Sequence, residues 1–198
     1  MYKKYLVSSC LGIGVGILTL LGQQTLPIEL NFLANSGSIW LIPSFIMGYY
    51  FRKDLKSSIL LSVFCLLGCV YGYFIFEAIH NGHAFSFNQG ALYWSVFALG
   101  AGVLFGIAAY YTKENKGFLT ALCRNAIPAV FTAEGLMHLM HIAEYRHMMP
   151  AIYIKILLGI LLFIWINRNS LKKIESYIAY LLMSGIGFLL YEILFFMI

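Results

Sequence analysis

Charge is what this chain has least of. Asp, Glu, Lys and Arg make up only 11% of its 198 residues, while 61% are hydrophobic, and the mean hydropathy is +0.83. A soluble domain carries about 25% charged and roughly 45–50% apolar residues. Too little polar surface remains to cover a water-soluble fold, so lipid is the expected solvent. The chain also lacks a basic face. Its formal charge of +5 comes from short clusters between apolar runs, which excludes nucleic acid as the partner and reads as a topology signal. Cysteines are few and sit in the wrong places for a secreted disulfide framework: Cys10, Cys65, Cys69 and Cys123 all fall within apolar segments. His-Glu-x-x-His, Gly-x-Ser-x-Gly and phosphate-loop patterns are missing, so spacing gives no support to metalloprotease, serine-hydrolase or nucleotide chemistry.

What is there is a series of long apolar runs. They predict an all-α membrane protein, a single transmembrane helical domain over 1–198 with about seven spans, near 5–23, 38–51, 58–79, 91–111, 118–143, 150–167 and 174–197. The opening Met-Tyr-Lys-Lys and the run to Leu21 look like a signal peptide. Gly22-Gln23-Gln24-Thr25 offers no small-x-small cleavage site, so this segment is expected to be a retained first helix. The second run is short and contains Pro43. The stretch before it, 26–38, reads as an interfacial helix, a re-entrant segment or a loop.

Orientation follows from Lys and Arg. Lys3 and Lys4 precede the first span, Arg52, Lys53 and Lys56 follow the second, Lys113 and Lys116 the fourth, and Arg168, Lys172 and Lys173 the sixth. The alternate connections 24–37 and 80–90 contain none, and 144–149 has only Arg146. The amino terminus is therefore expected in the cytoplasm and the carboxyl terminus outside. Gly12/Gly16, Gly68/Gly72 and Gly102/Gly106 are small-xxx-small pairs that let helices approach closely.

With that topology the ionisable residues sort by side. His80, His83, His138, His141 and His147 fall at outer ends or in outer loops, as do Glu29 and Glu144, and Glu77, Glu134 and Glu192 lie inside apolar spans near their outer ends. Embedded ionisable groups cost about 2.5–3.5 kcal/mol each on insertion scales and usually face a bundle interior or wet cavity. On a continuous fifth helix, Glu134, His138, His141 and Tyr145 share one face, flanked by Glu144. His80 and His83 lie near Glu77. Lys155 could pair with Glu192 or Glu134, or snorkel to the surface, the slightly favoured reading. Arg124 could pair with Glu175 or reach lipid phosphate. Cys65 and Cys69 share a helix face and read as packing.

Gln23 or Gln24, Leu26-Pro27, Leu33-Ala34-Asn35-Ser36-Gly37-Ser38, Trp40, Phe45 and Gly48, with Glu134-Gly135, resemble a family of small bacterial multi-pass membrane proteins of unknown function. The resemblance implies a bacterial cytoplasmic membrane and draws attention to Asn35. The leading expectation is a solute-binding or transport subunit with an outward pocket lined by Glu134, His138, His141, Tyr145, Glu77 and Glu192. Its size also resembles that of substrate-binding subunits of bacterial importers. With no nucleotide site, uptake would need a partner subunit or an ion gradient, and a homo-oligomer is an alternative assembly. Alternatives from other classes are an intramembrane enzyme with a divalent metal on His138, His141 and Glu134, a haem site using one imidazole from span five and one from the end of span three, a pH-sensing accessory protein, and a hydrogen-bonded boundary layer without activity.

Overall fold

In lipid no water is at hand for backbone N–H and C=O groups, so a chain this apolar satisfies them within helices. The computed structural model describes residues 2–27, 30, 31, 34 and 36–197. Among these the elements are α1 (Lys3–Thr25), α2 (Gly37–Phe51), α3 (Leu55–His80), α4 (Gln89–Tyr111), α5 (Phe118–Arg124), α6 (Ala126–Met140), α7 (Ile142–Tyr145), a 3₁₀ turn at Arg146–Met148, α8 (Met149–Ile166) and α9 (Ile174–Met197). Glu29 and Asn35 lie outside the described residues, with much of the 26–38 connection.

Five stretches among the described residues are long and apolar enough to cross a bilayer: Lys3–Thr25, Leu55–His80, Gln89–Tyr111, Ile142–Ile166 and Ile174–Leu194. The distribution of side chains is inverted relative to a soluble protein. Leu6, Leu18, Leu157 and Leu181 are exposed, while Ser8, Ser44, Ser58 and Ser62 are buried. Such a surface suits lipid better than water. The predicted runs one, two, three, four, six and seven match helices α1, α2, α3, α4, α8 and α9 to within a few residues, the second being a helix of 15 residues, about 22 Å long. One expectation changes. The fifth is not one helix but two, α5 and α6, broken at Asn125 (φ −89°, ψ 0°), and α6 ends at Met140.

The chain resolves into two compact units, Met1–Pro27 with Leu33–Tyr110, and Ile28–Phe32 with Tyr111–Ile198. In the first, α3 is the shared partner of its neighbours. Its Gly68 and Gly72 meet Gly12 and Gly16 of α1 backbone to backbone. A Cβ on Gly12 would land on the Cys65 carbonyl, and one on Gly68 or Gly72 would lie 2.5 Å from the Ser9 or Ile13 carbonyl oxygen. Gly102 and Gly106 of α4 close on Val63 and Ile59 in the same manner. Toward α2 the contact is polar: Ser44 Oγ donates to the Ser62 carbonyl (3.1 Å) and Ser62 Oγ to the Ser44 carbonyl (3.0 Å). Ser58 Oγ reaches the carbonyls of both Gly48 (3.1 Å) and Gly106 (2.8 Å). Helix α3 starts at a capping box, in which Asp54 accepts from the Ser57 N–H at 2.6 Å and Ser57 Oγ accepts from the Asp54 N–H. These bonds hold the exposed Asp54 carboxyl below the usual carboxylate range.

The second unit is organised on α6. A Cβ on Gly159 of α8 would strike Thr132, and one on Gly187 of α9 would lie 2.9 Å from the Ala133 Cβ. Asn125, fully buried at the α5–α6 break, donates to the carbonyls of Ala121 (2.8 Å) and Ser176 (3.3 Å) and accepts from Asn167 at 2.8 Å. The break therefore keeps its polar groups satisfied, as irregular backbone in an apolar setting must. Arg124 is exposed and its Nε donates to the Thr112 carbonyl (3.4 Å), in place of the pairing expected with Glu175.

The α1–α3 contact yields a direct prediction. Gly68→Leu forces the two backbones apart and should cost at least about 1–3 kcal/mol, read as a lower Tm of the purified protein. Gly14→Ala, with nothing within 4 Å of the added methyl, should leave Tm unchanged. Equal melting for both variants would show that α1 is not held at this distance.

Candidate functional site

The two ends of the first unit differ: its Lys and Arg residues gather at one end and a cavity opens at the other. At the end where α1 starts and α2 finishes, Lys4 Nζ donates to the Phe51 carbonyl (3.3 Å) and the Arg52 guanidinium lies 4.4 Å over the Tyr110 ring. At the opposite end, the last turns of α1 and α3 meet the first turns of α2 and α4 around a cavity of ≈ 250 Å³. Thr19 and Gln23 of α1, Trp40 of α2, Tyr73, Phe74 and Glu77 of α3 and Trp94 of α4 line it, with Ala34, Ser36 and Gly37 at its edge.

The aromatic walls are set by hydrogen bonds. Trp40 Nε1 donates to Thr19 Oγ1 (2.8 Å), which donates in turn to the Val15 carbonyl (2.9 Å). Tyr73 Oη donates to Gln23 Oε1 (3.0 Å). Trp40 packs against Trp94 with centroids 5.9 Å apart and against Tyr73 at 6.4 Å, both tilted. Trp40 and Phe74 also pack on the buried cluster of Leu66, Val70 and Ala98. Glu77 is half-buried, and its carboxylate has no hydrogen bond or ion pair among the described residues.

The other expected site residues, Glu134, His138, His141, Tyr145 and Glu192, belong to the second unit. Glu134 and Lys155 are both about 2% exposed, and Lys155 Nζ donates to Glu134 Oε1 at 2.8 Å. The favoured expectation of a snorkelling Lys155 is thus corrected: Gly159 and Gly135 bring α8 so close to α6 that the ammonium meets the carboxylate before it can reach the surface. His138, also buried, uses Nδ1 to donate to the Glu134 carbonyl (2.6 Å), leaving Nε2 as the acceptor when neutral. Its ring meets Tyr145 edge-on at 4.4 Å. His141 caps α6 and its Nε2 donates to both oxygens of Glu192 (3.1 and 3.0 Å).

The expected stripe of Glu134, His138, His141 and Tyr145 is therefore divided, because the helix ends at Met140. Glu134 and His138 turn inward to Lys155, and His141 turns to α9. Glu144, His147, His80 and His83 are exposed. Among the described residues no three His, Cys, Asp or Glu side chains gather closely enough to hold a metal ion. Cys65 and Cys69 are buried free thiols at the α1–α3 contact. Sequence reasoning passed over Trp94, Tyr73, Phe74 and Thr19. The available signal was that two of only three tryptophans, Trp40 and Trp94, lie at the same end of neighbouring apolar runs, one of them in the resemblance motif. That pattern also fits an interfacial belt.

An all-helical chain with five helices long and apolar enough to cross a bilayer among the described residues fits a membrane protein. The chain belongs to the family of unknown function DUF6518, which matches residues 1–196. No curated protein and no solved structure matches it.

The Glu134–Lys155 pair carries a measurable consequence. Lys155→Met leaves a buried carboxylate uncompensated and should destabilise by about 3–5 kcal/mol, whereas Lys155→Met with Glu134→Met should recover most of that loss. Thermal unfolding of the purified variants reads both. A double variant no more stable than the single one would mean that the pair is not a coupled unit.

Proposed function

We propose that this protein is a seven-span cytoplasmic-membrane protein, amino terminus inside and carboxyl terminus outside, that binds a small solute in the cavity at the outer end of its first unit. The observation that carries the reading is the Glu77 carboxylate, unpaired among the described residues, in an aromatic-walled cavity of ≈ 250 Å³. A concave, mostly apolar pocket with a few fixed polar groups is what small-molecule sites share.

The span count rests on α2 and on the α5–α6 pair acting as crossings beside the five long helices. The alternation of Lys and Arg along the loops supports it, since six crossings would break the pattern. It also supports the orientation, which places Glu77 outside and Lys4 and Arg52 inside. In this reading Glu134, His138 and Lys155 hold the second unit together, and the outward pocket belongs to Glu77. Movement of the solute across the membrane would draw on a partner subunit or an ion gradient, since the chain carries no phosphate-loop pattern.

Two measurements test this. In cells expressing the Cys10→Ser background, Glu77→Cys should react with a membrane-impermeant thiol reagent added outside, while Ser62→Cys, buried between α2 and α3, should not. Reaction of Glu77→Cys only in inverted vesicles would overturn the orientation. A thermal-shift screen of small solutes should find ligands that stabilise the protein, by about 2.7 kcal/mol at a hundred times Kd, and Trp94→Ala should remove the shift. A shift that survives Trp94→Ala would place binding elsewhere.

A further inference from the structure

We propose that the solute is an organic monocation of the methylated-ammonium class, held in the cavity against the aromatic wall that Trp40, Tyr73 and Trp94 form together and beside the carboxylate of Glu77. This rests on the reading above that the cavity is a binding site, and adds the chemistry of what fills it. The argument turns on which parts of the lining remain available. The polar tips of two aromatics are already used, Trp40 Nε1 on Thr19 and Tyr73 Oη on Gln23. What remains of them to line the cavity is the aromatic ring. Ring faces are negative, and Trp has the strongest attraction for a cation held over it.

The charge balance points the same way. Among the described residues no Lys, Arg or His lines the cavity, whereas Glu77 does. An anion would meet an uncompensated carboxylate. A neutral apolar ligand would strip water from that carboxylate and give nothing in return. A bare divalent ion asks for several hard oxygen or imidazole donors, and no group of three ligating side chains forms among the described residues. A methylated ammonium needs no hydrogen-bond donors or acceptors around its head. It needs apolar contact, ring faces and one counter-charge, which are the three things present.

Size agrees. The cavity volume of ≈ 250 Å³ corresponds to roughly eight waters at about 30 Å³ each. A quaternary head group with a short tail fits; a lipid or a nucleotide does not.

The test uses the full chain in nanodiscs, with tetramethylammonium and choline as probes. The control ligand is the uncharged analogue of choline in which a tert-butyl group replaces the trimethylammonium. Calorimetry and tryptophan fluorescence should show binding of the cations and at least about tenfold weaker binding of the neutral analogue, as expected for a desolvated cation–π site. Glu77→Gln, nearly isosteric and with no partner to lose among the described residues, should weaken the cations by a similar factor with an unchanged circular dichroism spectrum. Equal binding of cation and neutral analogue, indifferent to Glu77→Gln, would overturn the cationic class and leave the solute-binding reading intact. So would a screen whose only ligands are anionic or neutral yet lose binding in Trp94→Ala. No ligand of any charge, together with an outer reagent that never reaches Glu77→Cys, would overturn both.

Discussion

The bare backbone contact between α1 and α3 is the constraint on which the first unit depends. In lipid, burying a leucine between helices gains little, because the tails outside are equally apolar. Association rests on close van der Waals approach and on hydrogen bonds across helices. Gly12 and Gly16 set against Gly68 and Gly72 supply the approach. Ser8, reaching the Leu61 carbonyl at 2.6 Å, and the reciprocal Ser44–Ser62 bonds supply the rest. Large apolar side chains are consequently free to face outward, which is where the structure puts Leu6, Leu18 and Leu104. The cavity is a product of the same arrangement. The glycine contacts between α1 and α3 end at Gly16 and Gly72; next to them and beyond, Thr19 and Gln23 on α1 and Tyr73 and Glu77 on α3 line the cavity.

The second unit solves the same problem with charge. Gly135, Gly159 and Gly187 again bring backbones together around α6, but the polar glue is Asn125–Asn167, the hydroxyls of Thr132 and Tyr180 at 2.5 Å, and the buried Glu134–Lys155 pair. Two embedded carboxylates of similar depth in sequence thus have opposite fates. Glu134 is neutralised from within the protein and fully enclosed; Glu77 is not neutralised and borders a space. Desolvating an ionised group is costly enough that one left unpaired at membrane depth marks a wet or ligand-bearing place. A paired one is weak evidence of anything but architecture.

Depth was legible in the sequence, and azimuth was not. Apolar run length located α1, α2, α3, α4, α8 and α9, and the small-residue pairs located the close helix contacts. The direction in which each residue faces around its helix depends on which helices become neighbours, and that is decided by long-range packing. Lys155 illustrates the difference: a lysine about a turn and a half inside a helix end can reach the surface unless the next helix is too close, and Gly159 makes it too close. The α5–α6 break was missed for a related reason. Asn125 in an apolar run looks like one polar residue in a helix until Ser176 and Asn167 appear beside it to satisfy the broken turn. The His stripe failed with it, since a stripe needs a helix that continues past Met140. Trp40 and Trp94 were visible but ambiguous, because a belt residue and a cavity wall occupy the same depth.

The state of Glu77 between ligands bears on what the cavity can do. Half-buried beside an open cavity and unpaired among the described residues, its carboxylate can keep water, so the charge does not destabilise the fold as an enclosed one would. A ligand that displaces this water must return equivalent stabilisation to the carboxylate, and a neutral molecule cannot. A cation returns it through its own charge, and in doing so leaves its own hydration shell for ring faces that attract it. Hydrogen bonds to Thr19 and Gln23 hold Trp40 and Tyr73 before the ligand arrives, so little ordering remains to be done on binding. The selectivity of such a site lies in the unpaired carboxylate, and its affinity lies in the aromatic walls that the α1–α3 contact holds in place.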